Sequence, residues 1–125
     1  MKIRNAAIGI AVAAAGLTGM ASSALGASGT FYATDGNAAV TYNYSAYTGR
    51  TTGTLYDLKR NDAKCARVYS QGFNWTLGWG GWNLEKTVCA GGWANFSHRP
   101  FAYSDKIDLI VCTGYGSCVR NRIKG

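Results

Sequence analysis

Beyond residue 26 the apolar positions recur mostly every second residue, and no stretch carries apolar residues at helical spacing for three turns. Thr30-Phe31-Tyr32-Ala33-Thr34 reads as a strand, Asp35-Gly36 as a tight type I′ turn, and residues 38–44 as a β-branched and aromatic partner strand. A further strand is expected over residues 52–58, then a charged loop from Lys59 to Lys64, then a strand over residues 65–70. The Gly- and Trp-rich segment 73–101 predicts two or three short strands, of which Thr87-Val88-Cys89 is the best defined. Arg99-Pro100 is expected in a loop, because proline cannot donate to a ladder. At the C-terminal end Ile107, Leu109 and Val111 share one face of a strand, and Val119 and Ile123 share one face of the next. Cys112, Cys118, Arg120 and Arg122 fall on the faces opposite those stripes. Seven or eight short strands at roughly ten-residue spacing predict a small antiparallel β-sandwich, immunoglobulin-like in class. A small closed barrel is the alternative.

The first 26 residues have a different pattern. Lys2 and Arg4 precede an apolar run from Ala6 to Ala15, and small residues follow through Gly26. This is the make-up of a cleaved secretory signal peptide. Its apolar run is about half of the roughly 20 residues needed to span a bilayer, so no membrane anchor is expected after cleavage. Cleavage fits after Ala24 or after Gly26. The expected organisation is a signal peptide at 1–26, an extended N-terminal segment or pair of edge strands at 27–50, and a disulfide-bonded β domain at 51–125. The protein is therefore expected outside the cell, secreted, under oxidising conditions.

That compartment decides how the cysteines are read. Cys65, Cys89, Cys112 and Cys118 all lie in the mature part, and an even count in an exported chain implies two disulfides. Three pairings are possible. Cys65–Cys89 with Cys112–Cys118 is preferred, since the five residues between Cys112 and Cys118 contain two glycines and suit a hairpin connection. A zinc site would need recognisable ligand spacing, yet there is no Cys-x-x-Cys pair and His98 is the sole histidine. No metal and no cofactor are expected.

Removing the leader takes away two of thirteen Lys and Arg residues, leaving eleven against six Asp and Glu and a net charge of +5. A surplus of this size serves solubility and also favours anionic partners. There is no run of cations, only Lys59-Arg60 and the spaced Arg120, Arg122 and Lys124, and no nucleic acid is expected as a partner.

Gly53-Thr54-Leu55-Tyr56-Asp57, the charged loop, Cys65-Ala66-Arg67-Val68, Val88-Cys89, Ile110-Val111-Cys112 and Ser117-Cys118 together resemble a group of small secreted actinobacterial proteins. The resemblance covers residues 51–123, rests on cysteine spacing, and implies a β-sandwich rather than an activity. The chain is also similar in layout to the adaptor subunits of actinobacterial umbrella toxin particles, which join a signal peptide, a cysteine-free N-terminal segment and a disulfide-bonded β domain. That likeness implies a role bridging larger secreted subunits, partly by strand addition.

Little in the chain points to catalysis. Glu85, His98 and Arg99 are the residue types of a secreted ribonuclease, but their spacing is that of chance, and His98 reads as an exposed loop residue. There is no Gly-x-Ser-x-Gly elbow and no His-Glu-x-x-His pattern. The aromatic residues carry more. Trp75 and Trp93 are expected to fill the core, whereas Gly78-Trp79-Gly80-Gly81-Trp82 is too glycine-rich for a buried strand and suits a loop that presents Trp79 and Trp82. Tyr42 and Tyr44 lie in a Tyr-, Ser- and Asn-rich segment with the composition of adaptable binding surfaces. The expected function is non-enzymatic binding to another protein, as an adaptor or accessory subunit of an extracellular assembly such as an antibacterial toxin particle. The alternatives are a free-standing enzyme inhibitor, a small antibacterial protein, or a module binding carbohydrate or cell-wall polymer.

Overall fold

The computed structural model describes residues 26–98 and 104–125. Residues 1–25 of the expected leader and the Arg99-Pro100 loop read from the sequence lie outside these residues, whereas Gly26, the last residue of that leader, begins the first strand. Nine strands make up the described part: β1 (Gly26–Tyr32), β2 (Ala38–Ser45), β3 (Thr51–Asp57), β4 (Ala66–Asn74), β5 (Gly78–Trp79), β6 (Asn83–Val88), β7 (Trp93–His98), β8 (Lys106–Thr113) and β9 (Ser117–Lys124). They form two antiparallel sheets packed face to face, the expected sandwich. The first sheet has the order β1-β2-β3-β7. In the second, β8 lies between β4 and β9, while the other edge of β4 pairs with β6 along Ala66 to Ser70 and with β5 at Phe73 and Asn74.

Period-two alternation sets the core. Ala38, Val40 and Tyr44 of β2, Leu55 of β3 and Phe96 of β7 face Ala66 and Val68 of β4, Val88 of β6, Ile107, Leu109 and Val111 of β8 and Ile123 of β9. The N-terminal strands thus share one core with the disulfide-bonded part. β1 is paired along its whole length, from Gly26 opposite Ser45 to Tyr32 opposite Ala39. Gly53 is required by the packing: a methyl there would lie 2.1 Å from the Thr41 carbonyl oxygen and 2.8 Å from the Phe96 ring.

The β1–β2 turn differs from the expected type I′. That type needs positive φ at both central residues; Gly36 has φ 74°, but Asp35 does not lie in that region. The connection is longer, closed by Gly36 N–H to the Ala33 carbonyl and Ala33 N–H to the Ala38 carbonyl, both at 2.9 Å. The Asp35 carboxylate accepts from the Asn37 amide at 2.9 Å and from the Thr113 hydroxyl at 2.9 Å, which ties the turn to the second sheet.

The disulfides are Cys65–Cys89 and Cys112–Cys118. The first joins the start of β4 to the end of β6, and the second bridges opposite residues of the β8–β9 hairpin. Two such cross-links in a small β domain are compatible with an oxidising extracellular setting. Among the described residues no helix is long and apolar enough to cross a membrane.

Candidate functional site

Strand β8 is buried on both faces, and that property builds the site. Ile107, Leu109 and Val111 face the other sheet, while Asp108 and Ile110 are also fully buried, on the outer side. Ile110 lies in register between Tyr69 of β4 and Arg120 of β9, and Asp108 between Gln71 and Arg122. An outer sheet face is ordinarily solvated; this one carries a further layer of aromatic rings and guanidinium groups.

Asp108 anchors that layer. A buried carboxylate requires both charge partners and hydrogen bonds. Arg120 Nη1 donates to its Oδ2 at 2.8 Å, and Arg122 Nε donates to its Oδ1. Arg120 Nη1 also donates to the Gln71 side-chain oxygen, and the Gln71 amide donates to the Gly80 carbonyl at 2.6 Å. Gln71 thereby fastens the Gly-rich loop between β5 and β6 to the arginine pair. Trp79, expected in a loop but paired with Phe73 in β5, and Trp82 at the end of that loop lay their rings on the cations. Arg120 Cζ is 5.5 Å from the Trp79 ring centre and 5.6 Å from that of Trp82, and Arg122 Cζ is 5.3 Å from Trp79. These distances lie within cation–π range. Tyr69 packs on Trp82 at 5.4 Å.

The aromatic layer continues toward the end of β4. Phe73 contacts Trp79 at 5.2 Å and Trp75 at 4.9 Å, and the Lys106 ammonium lies 4.8 Å from the rings of both Phe73 and Trp75. Trp75 donates its backbone N–H to the Asp105 carboxylate at 2.9 Å. At the opposite end Arg67 covers the Tyr115 ring at 4.1 Å. Between Trp79 and the two arginines there is an open cavity of about 300 Å³, lined by Gln71, Trp79, Asp108, Arg120 and Arg122.

The candidate residues read from the sequence fall in different places. Trp79 and Trp82 lie on this face, 41% and 48% exposed, with rings resting on arginines rather than projecting freely. Trp75 and Trp93, expected in the core, are 72% and 62% exposed. Trp93 starts β7 in register with Tyr56, on the opposite side of that strand from Phe96, and Trp75 lies beyond the end of β4. Tyr44 is buried in the core and offers no binding surface. Tyr42 packs against the same core and accepts a hydrogen bond from Asn121 at 3.1 Å, so its hydroxyl serves as an internal contact. Sequence reasoning did not single out Asp108, although an acidic residue between Ile107 and Leu109 in an apolar strand is itself a signal of a buried ion pair.

A second polar group lies between the sheets. His98, expected in a loop, ends β7. Its Nδ1 is 2.6 Å from the Glu85 carboxylate, and its Nε2 is 3.1 Å from the Ser70 hydroxyl, which donates to the same Glu85 oxygen at 2.7 Å. Glu85 is the extra residue at the β-bulge where the β4–β6 register shifts. Burial on its own would raise the Glu85 carboxyl. The hydrogen bonds from His98 and Ser70, together with the charge of His98, outweigh it and hold the group below its ordinary value. This is not the geometry of an activated serine. The serine proton goes to the carboxylate rather than to the imidazole, and Ser70 is only 1% exposed. The trio instead joins β4 and β6 of one sheet to β7 of the other.

Compared with protein-family models, with curated proteins and with solved structures, the chain matches none.

Proposed function

We propose that this chain is a secreted, non-enzymatic binding protein that holds a protein partner on the outer face of its second sheet. The observation that carries the reading is the layer of Trp75, Trp79 and Trp82, all exposed, seated on Lys106, Arg120 and Arg122. Trp, Tyr and Arg are the side chains that most often dominate binding energy in protein interfaces. The rings are held in place by the sheet beneath them, so little side-chain freedom is lost on contact. Leu84 and Tyr115, 54% and 83% exposed, add large apolar surface on β6 and in the β8–β9 turn. An exposed cluster of this kind is a mark of an interaction site. The concrete form is an adaptor or accessory subunit of an extracellular assembly, and its bridging role would use the other sheet or an edge strand for a second contact.

Affinity purification of a tagged full-length chain from its native culture fluid tests the reading. A protein recovered with the wild type is expected to be lost with Trp79→Ala/Trp82→Ala and retained with Trp93→Ala on the opposite sheet. Retention by the double variant, or recovery of polysaccharide with no protein, would refute it.

A further inference from the structure

We infer that the cavity between Trp79 and the Arg120–Arg122 pair is a carboxylate pocket, which takes an Asp or Glu side chain from an acidic segment of the partner. The inference rests on the preceding reading of this face and adds the chemistry of what is bound. Two guanidinium groups share a single buried carboxylate, Asp108, so the pocket keeps one uncompensated positive charge. Lys106, on the ring of Phe73 that packs against Trp79, adds positive charge to the same face.

The arginines are held but not used up. Among the described residues Arg122 bonds Asp108 through Nε alone, which leaves both terminal amino groups without a protein acceptor. Arg120 bonds Asp108 and Gln71 through Nη1, which leaves its Nε and Nη2. Their side chains are 42% and 39% exposed, against 1% for Asp108. A buried acid thus fixes the arginine pair, and the remaining donors belong to half-exposed side chains that line the open cavity. Guanidinium forks match the two oxygens of a carboxylate, and a fork held in advance loses little freedom on binding.

Charge and shape narrow the occupant. One surplus positive charge matches a monoanion, and a dianionic phosphate monoester would meet the Asp108 carboxylate at the floor of the pocket. The cavity of about 300 Å³ is near the lower end of small-ligand sites, which suits one side chain rather than a free cofactor. Trp79 forms an apolar wall for the methylene groups of such a side chain. Spaced monoanions also occur in phosphodiester polymers. A protein acid is favoured because the rings around the pocket lie on arginines and on one another, at 5.2 to 5.6 Å, instead of forming open parallel slots for successive bases.

The test uses the full chain with both disulfides formed and two probes, a Glu-rich 20-residue peptide and a single-stranded oligodeoxynucleotide of equal charge, each titrated by tryptophan fluorescence at low and moderate salt. The peptide is expected to bind, to weaken with salt, and to lose roughly tenfold or more in affinity with Arg120→Lys/Arg122→Lys, which keeps the charge but removes the forks. Urea denaturation of the same variant verifies folding; should it fail to fold, the single Arg122→Lys variant carries the test. Equal peptide affinity for wild type and variant, or no peptide binding, would overturn the inference. So would tighter, equally arginine-dependent binding of the oligonucleotide, which would assign the pocket to phosphodiester polymers. If a partner from culture fluid depends on Trp79 and Trp82 but is indifferent to the lysine substitutions, the face remains the binding surface and the carboxylate pocket is discarded.

Discussion

Removing the cations from the Asp108 cluster is expected to cost far more than removing the anion. In Arg120→Ala/Arg122→Ala the Asp108 carboxylate, 1% exposed in the wild type, loses both charged donors. Stranding a buried charge costs about 3–5 kcal/mol. In Asp108→Asn the two guanidinium groups, 42% and 39% exposed, can turn to water, and the amide oxygen still accepts one hydrogen bond. Only the surplus of a charged over a neutral hydrogen bond is lost, about 1–2 kcal/mol. Urea denaturation of the disulfide-intact proteins at neutral pH resolves the two. With a slope of about 1.5 kcal/mol per molar, the arginine double variant should unfold about 2–3 M earlier than wild type, and Asp108→Asn only about 1 M earlier. Equal shifts, or a larger shift for Asp108→Asn, would refute the reasoning, since they would show that the carboxylate is solvated and that the arginines do not sustain it.

Gly53→Ala places a methyl 2.1 Å from a backbone oxygen and 2.8 Å from Phe96, and is expected to lower stability by about 3 kcal/mol or more in thermal melts. Because the folded Glu85 carboxyl titrates below its ordinary value of 4.5, its contribution is complete above that value and is lost as the pH falls through the lower folded value. The stability gap between wild type and Glu85→Gln should therefore be widest near neutrality and shrink on acidification below pH 4.5, as read by urea denaturation; a gap independent of pH would contradict the hydrogen-bonded trio. Chain-entropy arithmetic gives about 2.4 kcal/mol for the ring closed by Cys112–Cys118 and about 3.5 kcal/mol for that closed by Cys65–Cys89. Alanine pairs at each bridge should follow that order, and reduction of both bonds should unfold the chain.

The strands and disulfides were legible because their signals are local. Alternation fixed the faces of β8 and β9, and a short Gly-containing connection placed Cys112 opposite Cys118. The destinations of the tryptophans were not. Alternation separates Trp93 from Phe96 but does not say which face turns inward, and size alone wrongly favoured Trp93. The core needed only Ala, Val, Leu, Ile, Tyr and Phe, which left Trp75, Trp79 and Trp82 to the outer side of the second sheet and Trp93 to the outer side of the first. Glu85 and His98 were named together without support from spacing; their contact is made by strands of different sheets and by a bulge that sequence does not show. Tyr44 looked like a recognition residue from composition, but its position two residues from Tyr42 and four from Val40 puts it on the inner face of β2.

Hydroxyl-radical footprinting of the full chain, free and bound to the protein it captures from culture fluid, tests the central claim most directly. Protection should concentrate at Trp75, Trp79 and Trp82, with Trp93 and Tyr56 of the opposite sheet unchanged. Protection at Trp93 and Tyr56 with Trp79 and Trp82 still reactive would move the binding surface to the other side of the molecule and contradict the proposal.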